Sequence, residues 1–185
     1  MARMGKNSLM YGATGMFAKQ IVFKNRRGKR YVAGPPNVNE KRVPGKAEQA
    51  VRDRFKQSND YASFAVKDPK LKAQYEAVAK KRQTANNVAF SDAYHPPVIA
   101  GILAYGYAGV TGNIITIQAR DNFKVASVKV AIYNENDIII EQGDAVDNGD
   151  KLNWMYTVTK NVHGSKIIVK AYDLPWNETM KEFVV

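Results

Sequence analysis

The chain has 185 residues, no cysteine, and 28 Lys/Arg against 17 Asp/Glu, a formal net charge of +11 at pH 7. Without cysteine, a disulfide framework, a zinc–thiolate site and a cysteine nucleophile are excluded. No stretch approaches the roughly 20 apolar residues of a membrane span, and the first residues hold no apolar run of signal-peptide length, so the sequence reads as a product made in the cytoplasm with no membrane span.

The charge is unevenly placed. Residues 1–46 hold 11 Lys/Arg against the single acid Glu40, residues 47–95 hold nine against six, and residues 96–185 hold eight against ten. A near-neutral second half behind a strongly basic front points to an arm that meets something anionic, either an acidic protein surface or nucleic acid. Hydrophobic patterning divides the chain at the same places. It predicts a basic extended arm with a β-hairpin over 1–46, a short helical region over 47–95 and an immunoglobulin-like β-sandwich over 96–185.

Residues 1–16 are irregular, with Gly5, Gly12 and Gly15 punctuating Leu9, Met10, Tyr11 and Met16. Large apolar groups in a glycine-containing segment suit an arm that orders on docking. Residues 17–23, which carry Phe17, Ile21 and Phe23, read as a strand, residues 25–28 as a turn ending in Gly28, and residues 29–33 as a second strand. A two-stranded hairpin is marginal in water, so this one must pack on the rest of the chain or on a partner. The connector over 34–46 holds three prolines and two glycines, which exclude regular helix.

From Ala47 the period becomes helical, with Ala47, Val51, Phe55, Ser58 and Ala62 on one stripe. Asp68-Pro69 has the form of an N-cap followed by a first-turn proline. Leu71, Tyr75, Val78 and Ala79 then make the stripe of a second helix, which is expected to end near Lys80-Lys-Arg82, where cations suit the helix terminus. A third short helix runs from Thr84 through Val88 to Ala93, and Pro96 and Pro97 stop it. The three stripes are narrow, so these helices are expected to pack on the sandwich or on a neighbouring subunit.

Seven short strands follow. Val98 to Leu103 opens the array. Residues 113–120 are rich in β-branched side chains, and residues 125–133 alternate, with Val128, Val130 and Ile132 on one face. Residues 137–141, 152–158, 166–172 and 179–185 complete it. The breaks carry turn chemistry at Asp121-Asn122, Asn134, Asn148-Gly149, Gly164 and Pro175. Short strands at this spacing predict an antiparallel sandwich, and seven is the count of an immunoglobulin-like one. The fold class is thus mainly β with a helical segment.

The succession Tyr75-Glu-Ala-Val-Ala, Ala85-Asn-Asn-Val-Ala-Phe-Ser-Asp92, Pro97-Val-Ile99, Gly112-Asn-Ile-Ile-Thr-Ile and Trp154-Met-Tyr-Thr-Val-Thr159 resembles a group of uncharacterised bacterial proteins. These have a helical N-terminal region and a C-terminal β domain. Residues 167–173 are similar to the penultimate strands of bacterial immunoglobulin-like domains. The resemblance covers the chain from about Gly34 onward, rests on packing residues, and implies a fold without catalytic residues.

Among candidate sites the basic hairpin stands first. Lys24, Arg26, Arg27, Lys29 and Arg30 sit beside Phe23 and Tyr31, so cations and stacking rings occur together, as nucleic-acid surfaces require. The same residues also suit an acidic neighbour in an assembly. Asp144, Asp147, Asn148 and Asp150 offer oxygen ligands, but without the alternating spacing and distal Glu of a calcium loop. A polar hairpin turn accounts for them, and no metal site or cofactor is expected. His95 and His163 have no acid at ligand spacing and read as loop residues. The glycine-rich stretches at Gly12 to Gly15 and Gly106 to Gly112 lack phosphate-loop endings. Trp154, Tyr156, Tyr172 and Trp176 could line a glycan face, although strand aromatics more commonly serve packing. No nucleophile–base–orienter set emerges, so neither an enzyme nor a small-molecule substrate is expected.

The parts together point to a structural protein: an oligomer-forming subunit of a filament, tube, sheath or phage-like particle. Its partners would be copies of itself or other assembly subunits. Phe17, Ile21, Phe23, Arg26, Arg27, Lys29, Arg30 and Tyr31 would form the docking surface, adding a strand to a neighbour's sheet and meeting acidic turns such as Asp144 to Asp150. The alternatives are a nucleic-acid-associated protein using the basic arm and a glycan- or ligand-binding module.

Overall fold

The computed structural model describes residues 2–3, 12–26, 28–36 and 42–185. It divides into two compact units, residues 1–45 and Lys46–Val185.

The first unit is a four-stranded antiparallel sheet of β1 (Ala2–Arg3), β2 (Gly15–Phe17), β3 (Ile21–Arg26) and β4 (Lys29–Ala33), in the order β1-β4-β3-β2. The expected strand over 17–23 is not continuous. Ala18 and Lys19 both take positive φ (49° and 56°), and the Gln20 N–H donates to the Phe17 carbonyl. The chain therefore reverses and pairs Phe17 with Ile21. Paired positive φ values match the twist of a hairpin even without glycine or asparagine, and that is why composition did not reveal this turn. The expected second turn is present, with Arg26 opposite Lys29 and Gly28 at φ 74°.

The second unit begins with three helices, α1 (Lys46–Ala65), α2 (Pro69–Val78) and α3 (Ala85–Tyr94). Asp68 caps α2, its Oδ1 accepting the Lys70 and Leu71 N–H groups ahead of Pro69. Thr84 and Asn87 form a reciprocal capping box on α3. The α2 helix stops at Val78, short of the basic run at 80–82, because Ala79 is extended and the Gln83 side chain takes the Lys80 N–H. The buried stripe of α1 is Ser58, Ala62 and Ala65, whereas Val51 and Phe55 are each 57% exposed. Ala62, Ala65, Tyr75, Ala85 and Ala89 form a small core of their own, joined by Phe123 from the β domain.

Seven strands follow: β5 (Val98–Leu103), β6 (Ile114–Arg120), β7 (Val125–Tyr133), β8 (Ile139–Asp147), β9 (Asn153–Thr157), β10 (Lys166–Asp173) and β11 (Glu178–Val184). All pairings are antiparallel, in the order β11-β10-β7-β8-β9-β6-β5. The topology is that of an immunoglobulin-like sandwich, with β5-β6-β9 facing β7-β10-β11. The strand between them serves both sheets, since β8 pairs with β7 from Ile139 to Ala145 and with β9 at Val146 and Asp147. On the other side the Lys181 ammonium donates to the Ile99 and Ala100 carbonyls, tying β11 to β5 and nearly closing a barrel. The core holds Ile115, Ile117, Val128, Val130, Ile132, Val158, Ile167 and Val169, all almost fully buried. Each contributes about 1.5–3 kcal/mol by leaving water. Among the described residues no helix is long and apolar enough to cross a membrane.

The β8 strand runs over Ile139–Asp147 rather than 137–141. Asp144 and Asp147 lie within the strand, leaving the turn to residues 148–152. Its inward positions include the buried Glu141. Glu141 Oε1 accepts from the Tyr156 hydroxyl (2.7 Å), the Thr159 N–H (2.7 Å) and the Thr159 hydroxyl (2.9 Å), and Oε2 accepts from the Lys160 N–H (3.1 Å). Burial alone would raise this carboxyl, but the bonds from Thr159, Tyr156 and Lys160 outweigh it and hold the pKa below the usual value. Glu141 thus fixes the crossing strand to the segment after β9. Glu141→Ala should cost about 3 kcal/mol or more by leaving these donors unpaired. Urea unfolding should read the loss as a lower midpoint at unchanged slope.

Candidate functional site

The predicted docking residues fall on two faces of the amino-terminal sheet. Directly opposed residues share a face, and successive residues alternate. Phe17, Ile21, Phe23 and Val32 therefore lie on one side, and Lys24, Arg26, Lys29 and Tyr31 on the other. Arg30 stands opposite Asn25 on the apolar side, and Arg27 lies outside the described residues. Phe23 is 9% exposed and Phe17 is 66% exposed, so the apolar face is covered at its centre and open toward β2. The segment over 17–23, expected to add a strand to a neighbour, is divided: residues 21–23 lie in β3, which is hydrogen-bonded on both sides, and Phe17 lies in β2 at the edge of the described sheet.

A second site was not anticipated. Asp92, Asp121 and Asp173 each bring a carboxylate oxygen within 4.8 Å of the others. Asp92 lies in the last turn of α3, Asp121 directly follows β6, and Asp173 ends β10. The inward alternation of β10 runs Ile167, Val169, Ala171, Asp173, so the register points Asp173 toward the core, and a bulge between Tyr172 and Asp173 adjusts its aim. Asp92 is 0% and Asp173 1% exposed, whereas Asp121 is half-buried.

Protein donors hold one side of each carboxylate. The Tyr61 hydroxyl lies 2.8 Å from that of Tyr75, which donates to Asp92 Oδ2 at 2.6 Å. The N–H groups of Phe123 and Lys124 donate to Asp121 Oδ2, each at 3.0 Å. The Asn177 N–H donates to Asp173 Oδ1 at 2.6 Å, and its amide donates to Asp173 Oδ2 at 2.7 Å and to the Ala93 carbonyl at 3.1 Å. Oδ1 of Asp92 and Oδ1 of Asp121 are buried and accept nothing.

This environment disfavours charge. Burial pushes the Asp92 carboxyl up to about 8. The Tyr75 bond opposes that shift, and the facing Asp121 and the charge of Asp173 add to it. Asp173 is raised to about 6, chiefly by burial, with the Asn177 bonds opposing and Asp121 adding. Burial and the two bonded neighbours push the Tyr75 hydroxyl far up, so it remains a donor. Chemically the cluster can hold either a proton between facing carboxyls or a hard cation among all three.

The remaining candidates have structural partners. Asp147 accepts the Gly149 N–H, and Asp150 accepts those of Leu152 and Asn153, as turn residues do. His95 Nδ1 lies 2.8 Å from the Ser91 carbonyl, and His163 stacks on Tyr107. Trp154 and Tyr156 are core residues, whereas Trp176 is exposed at the β10–β11 turn.

No family model matches the chain, and no curated protein matches it. Among solved structures, a crystal structure of an engineered protein is similar over 53% of this chain and 21% of that one, at 13% identity and a TM-score of 0.36.

A carboxyl whose pKa is raised on folding contributes stability that is fully present below its unfolded pKa and is lost as pH rises through its folded value. For Asp92 that window runs from about 4 to about 8. With chelator present, the melting temperature should therefore fall between pH 5 and pH 8.5. Asp92→Asn, which mimics the protonated acid, should flatten that fall.

Proposed function

We propose that the protein is a non-enzymatic structural subunit of a larger self-assembling complex of the filament, tube, sheath or phage-like kind. In this reading the amino-terminal sheet docks on a neighbouring copy. The observation that carries it is the two-faced character of that sheet. Phe17 and Ile21 present open apolar surface, which gains about 25 cal/mol per Å² when a partner covers it. Lys24, Arg26 and Lys29 gather cations on the opposite face, suited to the acidic surplus of residues 96–185 in the next copy. Strand addition falls to the short β2 edge rather than to β3, so face packing and charge supply most of the contact. A sheet that meets a different surface on its neighbour makes a heterologous contact, which propagates unless its rotation closes. Val51 and Phe55 on α1 offer further apolar surface to such a contact.

A second reading rests on Tyr31 standing among Lys24, Arg26 and Lys29 on one face, an aromatic platform within a cationic patch. Here the face neutralises phosphates.

Light scattering on nuclease-treated full-length protein should give particles larger than one chain, whereas residues 46–185 alone should run as a monomer. Phe17→Ser with Ile21→Ser should weaken the association. Equal masses for full-length and shortened chains at every concentration would overturn the assembly reading. The nucleic-acid reading instead predicts a monomer that binds DNA or RNA. Changing Lys24, Arg26 and Lys29 to Ala should then reduce the slope of log affinity against log salt on duplex DNA by about 2.7.

A further inference from the structure

We propose that Asp92, Asp121 and Asp173 form a buried binding site for one hard divalent cation, Ca2+ by preference, which locks the helices to the end of the sandwich. The proposal concerns the second unit alone and does not depend on the assembly reading.

Geometry is the first argument. A Ca2+ ion takes oxygens at about 2.4 Å, so its ligands lie up to about 4.8 Å apart across the sphere. Three carboxylate oxygens within 4.8 Å of one another fit inside that limit. Mg2+ keeps several of its waters and is usually bound through one or two carboxylates, whereas a set of three suits Ca2+.

The second argument is the pair of orphaned oxygens. Buried polar atoms almost always have partners. Asp92 is wholly buried, yet its Oδ1 has none, and Oδ1 of Asp121 is in the same condition. Their other oxygens are already held by Tyr75, Phe123 and Lys124. Outer bonds of this type orient carboxylates toward a metal and fix their remaining oxygens. A proton placed between the two Oδ1 atoms satisfies that pair but leaves Asp173, held by Asn177 alone, with no positive charge beside it. A divalent ion engages all three.

Electrostatics is the third. Asp92 lies in the last turn of α3, at the negative end of the helix dipole, where an anion is disfavoured. The charges that bear on it are those of Asp121 and Asp173, of its own sign. Access is provided by Asp121, the half-buried member, which borders a groove lined by Ser91, His95, Arg120 and Asn122. Three carboxylates supply part of the roughly six to eight oxygens that Ca2+ takes, and water entering beside Asp121 would complete the shell; with Asp92 on α3 and Asp121 and Asp173 on the β domain, the ion would join the two layers.

The test uses the full-length chain stripped with chelator and dialysed. Calorimetric titration with CaCl2 should show one ion per chain. At 100 times Kd the melting temperature should rise by about 5–10 °C, with MgCl2 giving a smaller rise. Asp121→Asn, at the half-buried ligand, should fold yet lose most of this response, and Asp173→Asn should do the same. Asp92→Asn serves as a further variant if it folds. No binding heat and an unchanged melting temperature in Ca2+ would overturn the proposal and leave a proton shared between Asp92 and Asp121. An undiminished response in Asp121→Asn would also overturn it, since the ion would then bind elsewhere.

Discussion

The second unit depends on how three acids are accommodated where the helices meet the sandwich. The helical core is mostly alanine, with Ala62, Ala65, Ala85 and Ala89 around Tyr75. Small side chains bring helices close together but bury little apolar area each. Polar bonds therefore fix the arrangement: Tyr61 to Tyr75 to Asp92 within the helices, then Asn177 to the Ala93 carbonyl and Asn122 to Ser91 across to the strands. The Tyr75 ring lies 4.5 Å from that of Phe123, which follows Asp121 in the β6–β7 turn. The acids are thus held by bonds within their own layer, while Asn177 and Asn122, beside them, carry the bonds that join the helical layer to the β domain.

The unit contains two kinds of buried carboxylate, and their contrast is instructive. Glu141 receives four donor bonds and no nearby acid, so it stays charged and fixes the strand that crosses between sheets. Asp92 receives one donor and faces two acids, so charge there is costly unless something positive enters. The difference follows from position. Glu141 sits beside a loop whose N–H groups turn inward, whereas Asp92 sits at a helix end where carbonyls dominate. Groups in the first situation are finished structural parts. Those in the second are places where a proton or ion completes the structure.

Much of the fold was legible in the sequence. Alternation in β7, turn residues at the strand ends and the Asp68-Pro69 cap identify their elements directly. The turn at Ala18-Lys19 was hidden because ordinary residues there adopt a conformation usually marked by glycine. Continuation of β8 through Asp144 and Asp147 was hidden because outward strand positions tolerate acids, as the cross-strand pair of Lys129 and Asp144 illustrates. The carboxylate cluster has no sequence spacing to betray it, since its members come from a helix end, a turn and a strand end. One signal did exist. The inward series Ile167, Val169, Ala171 lands next on Asp173, and an acid at a core position asks for a partner.

The amino-terminal sheet poses a different physical problem. A two-faced sheet buries its apolar side only against a second layer, and among its described residues Phe23 alone is buried. Its basic side cannot supply that layer to another copy of itself, because like charges would meet. A symmetric sheet-on-sheet pair through the apolar faces would leave two cationic faces outward, with a need for anions. A heterologous contact with the less basic second unit of another copy meets both requirements at once. In the proposed assembly Phe17 and Ile21 would find cover, and Lys24, Arg26 and Lys29 would find carboxylates. If copies associate as proposed, charge asymmetry along the chain would favour a directional contact over closed pairing, and a directional contact is the one that propagates.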